Sequence, residues 1–318
     1  MSNRRVTALV ASLTFALSAL AGCSSGPTTP TQDITVPPDA VSGFTVPATS
    51  DKGGKDDPVR IGVVGAGNKQ FQALTEAAAA EGIWLKFQDF TDYAQLNPAL
   101  ADQELDLNQF QHIVYLAKYN VAEHSDLAPI GATAIYPLGL YSSKYGSPAE
   151  IPAGSTIAVP DDQTNQARGL QLLAANKLIT LRPGTLSLFA EVSDIDTTSS
   201  AVKVIAIAAD QTPRSLDDPS IAAAVINNDY IADTGLAPQD AIAQDDPASE
   251  GAAPYINVWV AKASDKALPL YAEIVRLAHT PAWNEALQEN SGGTAVLVDE
   301  PQARLQQILD DAQKQLTA

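Results

Sequence analysis

The 318-residue chain holds one cysteine and three histidines, and only 6% of it is aromatic. A single thiol closes no disulfide within the chain and completes no multi-cysteine metal site. The histidines, His112, His124 and His279, are scattered, so a multi-histidine metal centre is not expected either. Basic residues are scarce: 19 Lys and Arg stand against 37 Asp and Glu, a formal charge of −18. Nucleic acid demands basic patches, and anionic lipid heads attract them, so neither surface is a partner for this one. There is no G-x-S-x-G elbow, no H-E-x-x-H pair and no phosphate loop, which leaves an enzyme reading without a constellation to stand on. No cofactor is expected. The longest apolar run, Val6 to Ala21, falls short of the roughly 20 residues that span a bilayer.

That run is informative in another way. Arg4 and Arg5 precede it, small residues close it, and no acidic residue lies in positions 1–22. A basic start, an apolar middle and a small-residue end make an export signal. Leu20-Ala21-Gly22-Cys23 resembles the lipobox of bacterial lipoproteins, in which the cysteine is acylated and becomes the first mature residue. Attachment then comes from acyl chains, at about 0.8 kcal/mol per buried methylene, with two chains making a durable anchor. The expected location is the outer, extracytoplasmic face of the cell membrane. Residues 23–57 are rich in Thr, Pro, Ser, Gly and Asp and read as a flexible tether. Its random-coil reach is about 30 Å.

The remaining residues alternate strand and helix patterns. Strands are expected at Val59–Val64, Ile83–Phe87, Leu107–Phe110, Leu127–Ala134, Leu138–Ser142, Thr156–Val159, Val202–Ala208, Ala222–Ile226 and Ile256–Ala261. Helices are expected at Gln70–Glu81, after Asn97-Pro98, through Tyr119, and at Asn165–Asn176, Asp265–Leu277, Pro281–Glu289 and Gln302–Leu316. Thr164 or Asn165 could cap the fourth of these. Such alternation points to parallel βαβ units and an α/β fold.

Gly65-Ala66-Gly67 follows a strand, but Gln70 stands where a dinucleotide fingerprint needs its third glycine, so a tight turn explains it. Phe110, His112 and Tyr115 lie where a strand runs into a helix, and Tyr93 lies in the loop after the previous strand. Loops beyond the carboxyl ends of strands face the ligand crevice of an open sheet. An aromatic cluster there can enclose an apolar or thioether side chain, or can simply be core. Asn165 and Arg168 are three apart, on one helix face. An arginine in a first helical turn opposes the dipole and calls for an anion: a ligand carboxylate, or Asp161 or Asp162. Asn227 and Asn257 could bind an ammonium group or cap turns.

The run DYAQLNPALADQELDLNQFQHIVYLAKYN, with IAVPDDQTNQARGLQLL, AAVINNDYIADTGL and PYINVWVAK, resembles the NlpA/MetQ family of methionine-binding lipoproteins. The resemblance is collinear over about residues 58–290. It implies a type II solute-binding fold of two α/β lobes joined by two crossovers. Residues 58–136 and 257–318 would build the first lobe and 137–256 the second. It also implies that Tyr93, Phe110, His112 and Tyr115 line a side-chain pocket and that Arg168 holds a carboxylate. Asn165, Asn227 and Asn257 would fix the polar groups. By the same resemblance the chain would be a non-enzymatic receptor for an ABC importer, passing methionine to a permease driven by ATPase subunits. Another apolar amino acid, a small dipeptide, or a surface adhesin without transport are the alternatives. The sequence departs from the family at Ala167, where glycine is usual, and at Asn228-Asp229. It also extends past the usual family ending over residues 291–318.

Overall fold

A computed structural model of the chain describes residues 52–231 and 235–317. The export signal, Cys23 and the tether as far as residue 51 lie outside the described residues. Residues 52–57, the end of the segment read as a tether, form turns tied to the fold. The Gly53 carbonyl accepts from the Trp84 amide at 2.8 Å, and Lys52 Nζ sits 2.9 Å from the Asp106 carboxylate.

In chain order, β1 (Val59–Val63) leads to α1 (Lys69–Ala80), β2 (Leu85–Asp89), α2 (Leu96–Ala101), β3 (Leu107–His112), α3 (Ile113–Glu123) and β4 (Leu127–Ala132). Next come β5 (Ala134–Ile135), β6 (Gly139–Tyr141), β7 (Thr156–Pro160), α4 (Gln163–Ala175), β8 (Lys203–Ile207), β9 (Ile221–Ile226) and β10 (Ala243–Gln244). The chain closes with β11 (Asn257–Lys262), α5 (Pro269–Leu277), α6 (Pro281–Asn290), β12 (Val296–Leu297) and α7 (Gln302–Thr317).

The strands form two five-stranded sheets and one small pair. The first sheet runs β2-β1-β3-β11-β4, with β11 antiparallel to both neighbours. The second runs β10-β6-β9-β7-β8, with β7 parallel to β8 and β9. The chain leaves the first sheet after β4, builds the second, and returns to the first through β11. Two crossovers therefore connect the sheets, at 133–138 and 245–256. The third sheet pairs β12 with β5. This is the α/β architecture expected from the alternating pattern and the family resemblance.

Local sequence explains where elements begin and end. Val59, Ile61 and Val63 alternate into the core of the first sheet with no exposure, the period-two pattern of a strand. Gly62, on the opposite face, leaves room for Leu105: a Cβ there would lie 2.5 Å from Leu105 Cδ1. After α1, Gly82 takes a left-handed φ of +75°. The Ile83 amide then donates to the Ala78 carbonyl at 2.8 Å, a Schellman closure. Ile83 thus completes the helix end, and β2 begins two residues later than expected. Thr133 donates its amide to the Asn257 carbonyl at 2.9 Å, which divides the expected strand 127–134 into β4 and β5. Pro269 occupies the first turn of α5, shortening the helix expected from Asp265. Among the described residues no helix is long and apolar enough to cross a membrane.

The C-terminal segment is fully used. Helix α7 packs on α3 and β4, burying Leu305, Ile308, Leu309 and Ala312.

Candidate functional site

The carboxyl ends of β3 and β9, the first turns of α3 and α4, the first crossover and the start of β11 converge on one cavity between the two sheets. Tyr93, Phe110, His112 and Tyr115 line it from the first sheet's side. Asn165, Arg168 and Asn227 line it from the second, and Asn257 lies at the start of β11. The fold brings together all eight side chains singled out in the sequence. The cavity volume is about 30 Å³, against about 10–15 Å³ needed for one water. Larger grooves flank it. One of about 780 Å³ passes Tyr93, Lys118 and Thr164, and another of about 380 Å³ runs from the Gly65 turn to Arg214.

His112 ends β3 and caps α3. Its Nδ1 accepts the Tyr115 amide at 3.2 Å, so the ring proton belongs on Nε2, 3.1 Å from Asn165 Oδ1 across the cavity. Burial, with the nearby Arg168 charge, lowers the His112 pKa to about 3. The ring is therefore neutral at physiological pH and acts as a fixed donor. Behind it, three buried amides brace the strand. Asn97 donates to Gln111 at 2.8 Å, Asn108 donates to Asn97 at 3.0 Å, and Gln111 returns a bond to Asn97 at 2.6 Å. Such a closed network holds β3 in one register.

Helix α4 is capped by Asp162, whose carboxylate accepts the Asn165 amide at 2.9 Å and the Asn165 side chain at 3.1 Å. The expected cap at Thr164 or Asn165 is corrected: Asp162, one position before the helix, accepts the free Asn165 amide of the first turn. This fixes Asn165 with its oxygen towards His112. One turn on, Arg168 is 5% exposed, and its partner is neither Asp161 nor Asp162. Its Nε and Nη2 reach the two oxygens of Asp245 at 2.6 and 3.1 Å, and Nη2 also reaches the Tyr136 carbonyl at 2.7 Å. The guanidinium lies 4.4 Å from the Tyr255 ring centre, a cation–π stack. Arg168 lines the cavity, and its Nη1 makes no hydrogen bond among the described residues.

The aromatic wall is continuous. Phe110 and Tyr115 meet edge-on at 5.7 Å, and Tyr93 lies 5.7 Å from Phe110 and 5.0 Å from Tyr230 between ring centres. Tyr93 Oη donates to Asp229 at 2.8 Å. Burial raises the Asp229 pKa to about 6, partly offset by that bond. Asn227 Oδ1 is buried with no hydrogen-bond partner. Tyr136 and Asp245 were not singled out by sequence, and Asp229 was noted only as a departure from the family pattern. Asp245 lies far along the chain in a segment with no motif, and only the second crossover carries it to Arg168. Gly65 takes a φ of +73°, and the Ala66 amide donates to Asp89 at 3.0 Å, so the glycine pair is a turn beside the cleft. No group of metal-ligating side chains occurs among the described residues.

The family model described as NlpA lipoprotein matches residues 59–298. The chain belongs to the NlpA lipoprotein family. It is 34% identical over 241 residues to the D-methionine-binding lipoprotein MetQ of Salmonella typhi, covering 75% of this chain and 87% of that protein. Among solved structures, protein PG110 of Staphylococcus aureus matches with a TM-score of 0.75 and 32% identity, over 80% of this chain and 99% of that one. A nutrient-binding protein of Burkholderia cenocepacia, bound to methionine, matches with a TM-score of 0.69 and 33% identity, over 75% and 99%. The two sheets and their crossovers are accordingly those of a periplasmic-binding-protein fold. The family match ends at residue 298, so α7 lies beyond it.

Proposed function

We propose that this chain is the lipid-anchored receptor of an ABC importer, that it binds methionine, and that it catalyses no reaction. The observation that carries the reading is Arg168. It is a buried guanidinium fixed by Asp245, Tyr136 and Tyr255, with one nitrogen free of hydrogen bonds among the described residues, and it lines a cavity walled by Tyr93, Phe110 and Tyr115. One donor nitrogen suits a carboxylate, and aromatic edges suit a thioether. His112 and Asn165, bonded across the cleft, would orient the ligand and hold the lobes together. Residues 58–136 with 257–318, and 137–256, would act as two rigid bodies. The cavity is too small for an amino acid to enter without parting of the lobes, so binding selects a closed state over an open one. The closed state is the one a permease would recognise. Acylated Cys23 would keep the receptor on the extracytoplasmic face within reach of permease and ATPase subunits.

The family relatives that carry methionine in their names support this reading. A thermal-shift panel of the twenty amino acids tests it. Methionine should raise Tm by several degrees while other side chains do little. A larger shift with a different amino acid would refute the ligand assignment.

A further inference from the structure

The end of the chain reaches both crossovers. β12 pairs antiparallel with β5, setting Val296 against Ile135 and Leu297 against Ala134, and the Val298 amide donates to the Thr133 carbonyl at 3.0 Å. These contacts hold the first crossover where it leaves β4. Helix α7 packs on the helical turn Glu250–Tyr255 of the second crossover. One apolar cluster joins the pieces. Leu305, Ile308 and Leu309 of α7 lie in it with Ile135 of the first crossover and Ala252 and Tyr255 of the second. The family match ends at residue 298, so α7 is an addition to the matched pattern.

A two-lobed receptor opens about a few hinge residues that absorb the change in φ and ψ. Backbone paired with one lobe, or packed against it, cannot absorb that change without breaking its contacts. β12 and α7 belong to the first lobe and cover the first-lobe ends of both crossovers. The pivot is left at 136–138 and 245–249, where the Asp245 amide donates to the Leu138 carbonyl at 3.1 Å and the Leu138 amide donates to the Asp245 carboxylate at 2.8 Å. The covered part also supports the ligand cavity. Tyr255 stacks on Arg168 at 4.4 Å and meets the His112 ring edge-on at 5.4 Å. Gln171, one turn past Arg168 on α4, donates to the Tyr255 hydroxyl at 3.2 Å.

We propose that β12 and α7 form a strap that confines the hinge to 136–138 and 245–249, holds Tyr255 against Arg168 and His112, and raises ligand affinity without touching the ligand. The proposal deepens the receptor reading and rests on it for the ligand. With the strap released, 133–135 and 250–256 join the hinge, and every closure has to order them again. The open ensemble gains states while the contacts to ligand stay the same. Ligand therefore leaves faster, and its rate of entry changes little.

The experiment compares the purified full chain with Val298→Pro, Val298→Ala, Leu74→Ala and a chain ending at Glu300. Proline removes the Val298 amide donor and keeps an apolar side chain, whereas alanine keeps the donor. Affinity for L-methionine should fall about tenfold in Val298→Pro and at least about tenfold in the shortened chain, the loss expected when crossover residues must be ordered anew. The fall should lie in the dissociation rate, and Val298→Ala should stay within about twofold of the wild type. Leu74, in the first lobe's core away from the hinge, has no exposure; its alanine variant should lower Tm and leave affinity alone, which separates the strap from general stability. In ligand-free protein, hydrogen exchange over 133–138 and 245–256 should quicken about tenfold in Val298→Pro and not in Leu74→Ala. If the shortened chain does not fold, Val298→Pro decides. Unchanged exchange at the crossovers in Val298→Pro, unchanged methionine affinity there, or an equal loss of affinity in Leu74→Ala overturns the proposal. Should the wild type ignore methionine and bind another amino acid, the methionine reading fails and the same comparison with that amino acid decides on the strap. If it binds none, the receptor reading fails, and the exchange measurement alone decides.

Discussion

Replacing Asp245 with asparagine probes the arrangement that presents Arg168 to the cavity. The Asp245 carboxylate accepts three hydrogen bonds: from Arg168 Nε at 2.6 Å, from Arg168 Nη2 at 3.1 Å and from the Leu138 amide at 2.8 Å. It thereby ties α4 to the first crossover. Asparagine keeps the shape and can still accept at one oxygen, but it sets an NH2 group against Arg168 Nε and removes the neutralising charge. Breaking a fully buried pair by removing one partner costs about 3–5 kcal/mol. The Asp245 side chain is 25% exposed and Arg168 6%, so water relieves part of that, and about 1–3 kcal/mol is the expected loss for charged hydrogen bonds. For a domain of this size that is a fall in Tm of roughly 3–9 °C. Ligand should act in the opposite direction. With Asp245 gone, a ligand carboxylate becomes the only anion for the guanidinium, so the ligand-induced rise in Tm should be larger in Asp245→Asn than in the wild type. Differential scanning calorimetry with and without methionine measures both numbers. An unchanged Tm for the apo variant, or a ligand shift no larger than in the wild type, would refute the role assigned to this pair.

Two further outcomes concern the frame. Leu305→Ala in α7 removes a side chain with no exposure from the contact with α3 and β4. It should cost about 2–4 kcal/mol in urea unfolding, and a change below about 0.5 kcal/mol would mean that α7 is not part of the cooperative core. Asp106 accepts from the Arg60 side chain at 2.8 Å and from its amide at 2.7 Å, and these bonds with Lys52 lower its pKa despite burial. A carboxyl depressed in the folded state stabilises it above the unfolded pKa of about 3.8 and loses that contribution as pH falls through the lower folded value. Asp106→Asn should therefore destabilise the protein at pH 7 and make little difference near pH 2, checked by denaturant melts at both values.

Much of the frame was legible because strand and helix leave different periods. Val59, Ile61 and Val63 repeat every two residues, and Leu305, Ile308, Leu309 and Ala312 repeat at helical spacing, so both elements could be drawn from sequence. Element edges were less legible. The Ile83 amide is taken by the end of α1 through a left-handed glycine, and no hydropathy pattern records that exchange. The eight candidate residues were found from strand-to-helix junctions and from the family's motifs, and the fold gathers them on one cavity. What sequence spacing missed were partners from distant segments. Asp245 lies 77 positions from Arg168 and Asp229 lies 136 from Tyr93. Only the paired crossovers make them neighbours. Nearer acids, Asp161 and Asp162, looked equally suited to Arg168 until helix geometry turned Asp162 to the cap.

The most direct test of the account is titration of L-methionine into the ligand-stripped protein and into Arg168→Ala. The account requires one site per chain in the wild type and a loss of at least about 100-fold in the variant, as befits removal of a buried charged partner for a carboxylate. Retained affinity in Arg168→Ala, in a variant that still folds cooperatively, would remove Arg168 from the site and with it the proposed mode of binding.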